Sequence, residues 1–401
     1  MLELYRERGH LFARVEASAT LSSDSTRAAI TLSIAEHEPV IVGELRIEGA
    51  RATDIEMLRA LVAIHPGEVY RPAAARRAEE RLRELGVFSG VSIAPEDPEL
   101  EERVKAVVVN VTERPPQLLD FALGASSAQG IRGAFEYGYG NLFGRAIRFS
   151  VRVQLAGQFF YLDDVLRERY EALSLGDRLE RRVTTGLLIP YTGIANLRTS
   201  INLLHQRENE RTFGLDKNAV NLTFTLRPSR KLQTSLSSGF ELNDIELLVD
   251  DAYDEILAGT TDPRLRQLLL VPEGRSALIA VESTTSIDLR DSPFDPTRGF
   301  FASVTAEWAR SISSENVEVA GEERAFFSHH VRTVLNASGY APLGRGLVLA
   351  LQARYGRVIH LNDRSETYPN RQFFLGGVDT MRAYRQHAMI PEDLAGEISR
   401  G

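Results

Sequence analysis

Apolar and polar residues alternate along most of the chain from residue 116 onward. At 149–155 every second residue is Phe, Val or Leu, and a polar residue stands between each pair. A strand with this pattern can place one row of side chains in lipid and the other row in water. Single segments are weak signals, so the repetition carries the prediction. The pattern recurs at 220–226, 300–308 and 347–355.

Short turns and long polar segments alternate between the predicted strands. Short turns are predicted at 141–144, 190–193, 227–230, 292–299 and 342–344, and long segments at 161–180, 208–217, 244–275, 311–323 and from 361 onward. Outer-membrane barrels have short turns at one end and long loops at the other. We therefore predict an antiparallel transmembrane β-barrel, of which about eleven strands are present.

Helical periodicity is confined to the N-terminal part of the chain. The alternating segment 42–48 predicts a strand. A capping box that begins at Thr53 predicts a helix through about Val62. Pro72 suits the first turn of a second helix, which Gly86 ends. Two further strands are predicted at 90–94 and 104–111. The order strand, helix, helix, strand, strand predicts an α+β unit.

Part of this unit is repeated. The residues Arg-Glu-Arg-Gly at 6–9 recur as Arg-Glu-Leu-Gly at 83–86, and a later Glu-X-Glu-Pro recurs as Glu-Arg-Pro-Pro, about 77 residues along the chain. We therefore predict three regions: the C-terminal half of one copy at 1–39, a complete copy at 40–115, and the barrel domain at 116–401.

Composition narrows the function classes. The net charge of -8 leaves no basic excess to neutralise phosphates, so nucleic acid is not an expected partner. There is no cysteine, which excludes disulfides and thiolate metal sites. No run of about 18 apolar residues occurs, so a transmembrane helix is not expected. A chain of this kind that crosses a membrane has to do so as a closed barrel.

No set of residues has the pattern of a catalytic, cofactor or metal site. His329 and His330 are adjacent on a predicted strand, so they point to opposite faces and do not suit one metal ion. Glycines near residue 140 lack the dinucleotide spacing, and no Ser/His/Asp set has the context of a nucleophile elbow. We expect neither an enzyme nor a cofactor.

The stretch 371–384, RQFFLGGVDTMRAY, resembles the signature of the BamA/TamA superfamily, bacterial outer-membrane proteins that insert or export other proteins. In that family, the motif lies in a loop folded into the barrel lumen. Ala383 stands where the family usually has glycine. The resemblance implies a lumen-loop motif made of Phe374, Gly376, Gly377, Arg382 and Tyr384.

Arg382 is the side chain to which the resemblance gives most weight. A guanidinium inside a barrel has to be paired, because an unpaired buried charge is strongly destabilising. A carboxylate suits its forked geometry. In the family that acid comes from a late strand, which here would follow Gly401.

Two turns and the N-terminal unit also resemble this family, so the resemblance covers essentially the whole chain. The unit with its terminal Glu-Arg-Pro-Pro is similar to polypeptide-transport-associated (POTRA) domains, which are periplasmic in the family. The turn motifs comprise Asn141, Leu142, Phe143 and Gly144 in the first, and Asp288, Asp291, Pro296 and Gly299 in the second.

The resemblance implies a factor that inserts or translocates proteins at the bacterial outer membrane. Its POTRA units would bind extended clients by β-augmentation. The partners implied are unfolded outer-membrane protein clients, outer-membrane lipid, and periplasmic or lipoprotein accessory subunits. The first barrel strand would pair weakly with the last and form a gate, whose residues are Leu118, Leu119, Phe121 and Leu123.

Alternatives remain open from the sequence. One is a two-partner secretion pore, a second is a barrel that anchors an enzyme such as a lipase, and a third is a soluble β-rich binding protein. The first ten residues are charged where a signal peptide is apolar. We expect a fragment that lacks a signal peptide and early POTRA material in front, and about five strands behind.

Overall fold

The computed structural model describes residues 2–21, 26, 28–126, 130–157, 171, 173–194, 196–209, 213–247, 273–314, 316–319, 322–344, 346–368, 371–373 and 375. The chain forms two compact units. Unit 1 comprises Met1–Gln117, Tyr139–Arg148 and Ile189–Asn196, and unit 2 comprises Leu118–Gly138, Phe149–Leu188 and Leu197–Gly401. In the described part of the chain, no helix has the length and apolarity needed to cross a membrane.

Unit 1 begins with a helix and a hairpin. Helix α1 (Leu2–Glu7) precedes strands β1 (Arg14–Leu21) and β2 (Ala28–Ala35), which pair in an antiparallel two-stranded sheet. The side chains described on β2 are all exposed. A hairpin without a covered face is only marginally stable by itself.

The rest of unit 1 follows the predicted order strand, helix, helix, strand, strand. Its elements are β3 (Ile41–Glu48), α2 (Ile55–Val62), α3 (Pro72–Glu84), β4 (Phe88–Pro95) and β5 (Val104–Glu113). The sheet order is β3-β5-β4, with β5 parallel to β3 and antiparallel to β4. The inner faces of both helices pack on this sheet around Leu58, Leu82, Val107 and Val109, all fully buried.

The predicted capping box is wrong by one residue. Asp54, not Thr53, caps α2, and its Oδ1 accepts from the amides of Glu56 at 2.8 Å and Met57 at 3.4 Å. The Thr53 hydroxyl is engaged elsewhere, because it donates to the carboxylate of Glu113. Helix α3 begins at Pro72 as predicted, where the missing amide hydrogen has no cost.

In the part of the chain that the structure describes, unit 2 is built on a sheet of eleven strands, as predicted. The strands are β6 (Gln117–Ser126), β7 (Gly130–Leu142), β8 (Ile147–Gly157), β9 (Glu180–Ile189), β10 (Leu197–Asn209), β11 (Phe213–Ser229), β12 (Leu232–Leu247), β13 (Gly274–Asp288), β14 (Gly299–Ser314), β17 (His329–Gly344) and β18 (Leu347–His360). Two short strands between β14 and β17, β15 (Asn316–Val319) and β16 (Glu322–Ala325), pair with each other in a separate sheet. Within this sheet, each strand lies beside the strand that precedes it and the strand that follows it along the chain, once β15 and β16 are set aside. The sheet is therefore an antiparallel meander with β6 and β18 at its edges. A short helix, α4 (Leu175–Arg178), precedes β9.

Two of the predicted long loops are wrong. Strand β10 extends to Asn209 and β11 starts at Phe213, so 208–217 is mostly ladder. Polar cross-strand pairs hold this extension, for example Arg207 Nη1, which donates to Asp216 Oδ2 at 2.7 Å. The segment 311–323 likewise contains the end of β14 and the β15–β16 hairpin. Polarity indicated loops at both places, but charged residues that pair across strands sustain a sheet equally well.

The two faces of the large sheet differ as the alternation predicts. On one face, here the outer face, cross-strand apolar residues are in register, as with Val220 between Leu203 and Phe240. A row of large apolar side chains on this face is exposed: Leu203, Val220, Phe240, Ile279, Val304, Leu335 and Leu351. Apolar side chains in such a continuous exposed band mark a surface that contacts another apolar phase.

Candidate functional site

The opposite, inner face of the sheet carries polar and charged side chains. Thr223 and Ser237 are hydrogen-bonded across β11 and β12 at 2.9 Å, and Thr284 and Thr305 across β13 and β14 at 3.0 Å. Each alternates along its strand with the exposed apolar residues of the outer face. This division of faces is the arrangement of a membrane barrel with a polar lumen.

Arg371 is bound by two carboxylates of the inner face. Its Nη1 and Nη2 donate to Glu241 Oε2 and Oε1 at 3.0 and 3.2 Å, and its Nε donates to Glu307 Oε1 at 3.0 Å. The side chains of Arg371, Glu241 and Glu307 are 7%, 9% and 12% exposed. Glu241 lies on β12 and Glu307 on β14, so Arg371 bridges two strands with β13 between them. We call Glu241 and Glu307 the carboxylate seat.

Lys217 and His330 lie next to the carboxylate seat. Lys217 Nζ lies 2.9 Å from Glu241 Oε1. His330 is fully buried, its Nδ1 is 2.9 Å from the Ser328 hydroxyl, and its Nε2 lies 3.8 Å from Glu307 Oε1. Buried charges are tolerated where they are paired and hydrogen-bonded, as those of Arg371, Glu241 and Glu307 are.

The next aromatic residue is seated on the same face. The guanidinium carbon of Arg332 lies 4.7 Å from the ring centroid of Phe373. A Cβ added to Gly356 would lie 2.6 Å from the same ring, so the absence of a side chain at 356 gives Phe373 its place. Arg371 and Phe373, which are two residues apart, thus both hold this segment against the inner face of the sheet.

Upstream, Tyr368 anchors the same segment. It is almost fully buried, with its ring centroid 4.6 Å from that of Phe326 and its hydroxyl 3.4 Å from the Ser311 hydroxyl. The Ser365 hydroxyl donates to the His329 carbonyl at 2.9 Å. The described residues that follow β18 up to Tyr368 therefore pack back on the sheet.

The predicted lumen-loop residues lie outside the described part of the chain: Phe374, Gly376, Gly377, Arg382 and Tyr384. In the described part of this segment, the arginine that contacts the inner face is Arg371, which the sequence did not single out. Acidic residues at inward positions of strands were the available signal, since Glu241 and Glu307 interrupt rows of small polar residues.

His329 and His330 occupy opposite faces of β17. Trp308 Nε1 donates to His329 Nε2 at 3.2 Å, beside the outer-face row, whereas His330 approaches Glu307 on the inner face. In the ranges that the structure describes, no group of three His, Asp or Glu side chains has the arrangement of a metal site.

The first turn motif belongs to unit 1, where it contacts the segment before α2. Asn141 Nδ2 donates to the Thr53 hydroxyl at 3.0 Å, and the Asp54 amide donates to the Gly144 carbonyl at 2.8 Å. A Cβ on Gly144 would lie 2.7 Å from the Ala52 carbonyl oxygen, so this approach requires glycine. The motif therefore serves contact as well as reversal of the chain.

The backbone of this turn is unusual. Asn141, Phe143 and Ala146 have φ of 62°, 57° and 56°. Such values are uncommon for residues with a Cβ and persist where surrounding contacts hold them. Ala146 is buried in the unit 1 core, whereas Phe143 is 87% exposed and Leu142 ends β7.

Glu113 organises the other side of this contact. Its Oε1 accepts from the Thr53 hydroxyl at 2.6 Å and from the backbone amides of residues Arg51, Ala52 and Thr53 at 3.2, 3.1 and 2.9 Å. Burial acts to raise the pKa of Glu113, but these hydrogen bonds outweigh it and hold the pKa below its usual value.

The second turn motif forms a closed polar loop between β13 and β14. Asp291 accepts from the amides of Ser292, Thr297 and Arg298 at 3.0, 3.0 and 3.2 Å, and also from the Thr297 hydroxyl. The hydrogen bond from that hydroxyl, reinforced by the amides, lowers the pKa of Asp291. Asp288 pairs with Arg290 at 2.7 Å. Pro296 lies within the loop and Gly299 begins β14.

The predicted gate residues lie on β6, at one edge of the eleven-stranded sheet. Leu118, Leu119, Phe121 and Leu123 are all exposed, with Leu123 at 91%. Phe121 and Phe135 of the neighbouring strand are in contact, with centroids 5.1 Å apart. An apolar edge strand of this kind is a template for pairing with another strand.

The sheet with its lipid-type outer face and polar inner face, together with the α+β unit, defines the class of outer-membrane barrels that carry POTRA modules. A family profile described as the Omp85 superfamily domain matches residues 141–399, and a POTRA profile, described as a surface antigen variable number repeat, matches residues 40–114. The chain belongs to the Omp85 superfamily.

Curated relatives carry the name outer membrane protein assembly factor BamA. The BamA of Neorickettsia risticii is 22% identical over 408 residues, which cover 100% of this chain and 48% of that protein. The BamA of Nitratidesulfovibrio vulgaris is 22% identical over 395 residues, covering 98% and 44%. The chain thus spans just under half the length of these relatives.

A solved structure has the same fold. The crystal structure of BamA from Haemophilus ducreyi lacking POTRA domains 1–3 superimposes with a TM-score of 0.64 at 14% identity, covering 97% of this chain and 68% of that one. At this identity, the likeness concerns the fold.

Proposed function

We propose that this chain is part of a factor that inserts proteins into the bacterial outer membrane or translocates them across it. The observation that carries the proposal is the Omp85 match over 141–399, which coincides with a sheet that is apolar outside and polar inside. The named relatives are assembly factors, which favours insertion over export. The mechanism requires no enzyme chemistry and no cofactor.

The POTRA unit at 40–115 would lie in the periplasm and receive clients. Its sheet has β5 in the centre, so β3 and β4 are edge strands. An extended client segment can add to such an edge through main-chain hydrogen bonds. The start of β3 is covered, because it exchanges backbone hydrogen bonds with the segment between α2 and α3. Val42 N donates to Glu68 O and Tyr70 N donates to Val40 O, both at 2.8 Å. The client site that we propose is the part of β3 or β4 whose backbone edge these hydrogen bonds leave open.

The edge strand β6 would act as the gate. Its exposed apolar side chains suit a strand that meets lipid on one side and a weakly paired closing strand on the other. Opening this seam would let client strands pair with β6 and pass into the bilayer. The outer-membrane lipid, unfolded outer-membrane protein clients and periplasmic or lipoprotein accessory subunits are the partners of this mechanism.

Reconstitution of the full-length protein tests the proposal. Liposomes containing the protein would receive a denatured outer-membrane protein, and folding would be followed by its heat-modifiable electrophoretic mobility. We expect folding to accelerate with the full-length protein and to slow when residues 40–115 are deleted.

The topology of the product separates insertion from its alternatives. Client recovered inside the vesicle lumen indicates an export pore. A second arm closes the seam with a disulfide between β6 and the last barrel strand, and insertion should stop and resume on reduction. Insertion that continues through a closed seam would rule out the gate.

A further inference from the structure

The carboxylate seat matches a guanidinium group in shape. Glu241 takes the two terminal nitrogens of Arg371 with two parallel hydrogen bonds, and Glu307 takes the remaining Nε edge. A forked guanidinium fills both carboxylates at once, whereas an ammonium group is a point charge and cannot. The seat is therefore selective by geometry as well as by charge.

The seat requires a cation. Glu241 and Glu307 carry two negative charges, and Arg371 and Lys217 balance them. Without Arg371, Glu241 loses its bidentate partner and Glu307 loses its hydrogen-bonded arginine, and buried carboxylates without such partners are strongly unfavourable. The site would then recruit a positive group from whatever solution or chain is nearby.

Two further groups show that the seat has unused polar capacity. The fully buried His330 Nε2 has no hydrogen-bond partner among the described residues and faces Glu307. Glu282 is the direct cross-strand neighbour of Glu307. A like-charged pair at opposite positions is destabilising unless cations lie close by. The carboxylate of Glu282 beside Glu307 strengthens the attraction of the site for a positive group.

We propose that the carboxylate seat is a guanidinium-binding site, which Arg371 occupies in this structure and which an arginine side chain of a client can enter when Arg371 leaves. Arg371 is thus a resident ligand whose displacement would free the segment that carries Phe373 from the inner face. The client as source of the second arginine rests on the proposed function, whereas the site itself does not.

Chemical rescue tests the site. Full-length protein with Arg371→Ala would be unfolded by heat in detergent, and the midpoint read from heat-modifiable mobility. We expect a lower midpoint than in the wild type, and a rise of several degrees on addition of millimolar guanidinium chloride. Methylammonium chloride at the same concentration should have little effect.

The matched control removes one half of the seat. In the double variant Arg371→Ala, Glu241→Gln, guanidinium should no longer raise the midpoint. Equal responses to guanidinium and methylammonium, or an unchanged response in the double variant, would overturn the proposal.

A second measurement covers the case in which Arg371→Ala does not assemble. With Gln372→Cys as a reporter, Glu241→Gln should speed thiol labelling several-fold, because Arg371 loses its bidentate partner. Glu246→Gln, the same isosteric change on the same strand but outside the carboxylate seat, where Glu246 pairs with Arg207, should leave the rate unchanged. If Glu241→Gln left labelling as slow as in the parent, the seat would not hold the segment.

The client step has its own experiment. A strand-forming peptide with one arginine is added to the Gln372→Cys protein, and compared with the same peptide with lysine. We expect faster labelling with arginine only, and equal rates would overturn the displacement. If guanidinium rescues the variant but the protein does not fold clients in liposomes, the proposed function is rejected and the guanidinium site is kept. If the protein folds clients but guanidinium does not rescue the variant, the site alone is rejected.

Discussion

At the scale of single residues, Thr53 serves two partners with one hydroxyl. It donates to Glu113 Oε1 at 2.6 Å and accepts from Asn141 Nδ2 at 3.0 Å, and the residue is 5% exposed. The substitution Thr53→Val keeps the shape and removes both contacts. We expect a cost of about 1–3 kcal/mol, because polar partners are left unsatisfied.

Hydrogen exchange of the full-length protein measures this cost locally. Amides of residues 51–53 should exchange faster in Thr53→Val. The matched control is Thr112→Val, an exposed position on β5, which should leave these amides unchanged. Equal protection of these amides in both variants would show that the Thr53 hydroxyl does not stabilise the segment 51–53.

Glu113 gives the same contact a pH dependence. Its folded-state pKa lies below the usual 4.5, so its contribution is present at neutral pH. The contribution is lost as the pH falls from the unfolded value through the lower folded value. We expect the amides of 51–53, corrected for intrinsic exchange, to lose protection below about pH 4.5. Glu113→Gln should remove this dependence, and a variant that kept it would assign the effect to another group.

Gly356 is the residue on which Phe373 rests. A Cβ there would come within 2.6 Å of the ring, so Gly356→Ala should displace Phe373 and cost about 1–3 kcal/mol. Nothing lies within 4 Å of a Cβ at Gly339 on the neighbouring strand, so Gly339→Ala is the control. Thermal midpoints of the two variants should differ by several degrees. Equal midpoints would mean that Phe373 is not seated there.

At the scale of elements, Asp291 closes the loop between β13 and β14. It accepts from three amides and a hydroxyl within that loop. We expect Asp291→Ala to raise amide exchange at Thr297 and Arg298 many-fold while the strands remain paired. Asp295→Ala, in the same loop, is the control, because the hydrogen bond that holds Asp295 runs from its backbone amide to the Ser292 hydroxyl, at 3.1 Å, and survives the substitution. Similar exchange in both variants would contradict this role.

The strands and turns were predictable because their signals are local. Alternation over 300–308 needs only neighbouring residues, and so does the turn at 141–144. The cap of α2 was misplaced by one residue because a partner 60 positions away, Glu113, engages Thr53. The loop at 208–217 was wrong because its charges pair across strands.

The carboxylate seat could not be predicted from the sequence. Glu241 and Arg371 are 130 positions apart, and their meeting depends on the register of every strand between them. A one-residue slip of β12 would turn Glu241 to the outer face. Local patterns indicate which positions point inward, but they do not indicate which inward charges meet.

At the scale of the whole molecule, the separation of apolar and polar side chains onto opposite faces of the large sheet is the central feature. Apolar residues form the outer face of the large sheet, and polar residues form its inner face. A bilayer accounts for exposed leucines and phenylalanines that water would disfavour. The same division gives the inner face a polar lumen in which the buried ion pairs of Arg371 can be held.

Spin labels placed one at a time at residues 300–308 of the full-length protein in liposomes test this division most directly. Collision rates with oxygen, which partitions into lipid, and with a water-soluble nickel complex would be measured at each position. We expect a period of two, with Val304 and Trp308 accessible to oxygen and Ser303 and Thr305 to nickel. Outer-face positions protected from both reagents would place these residues in a dry protein interior and contradict the account.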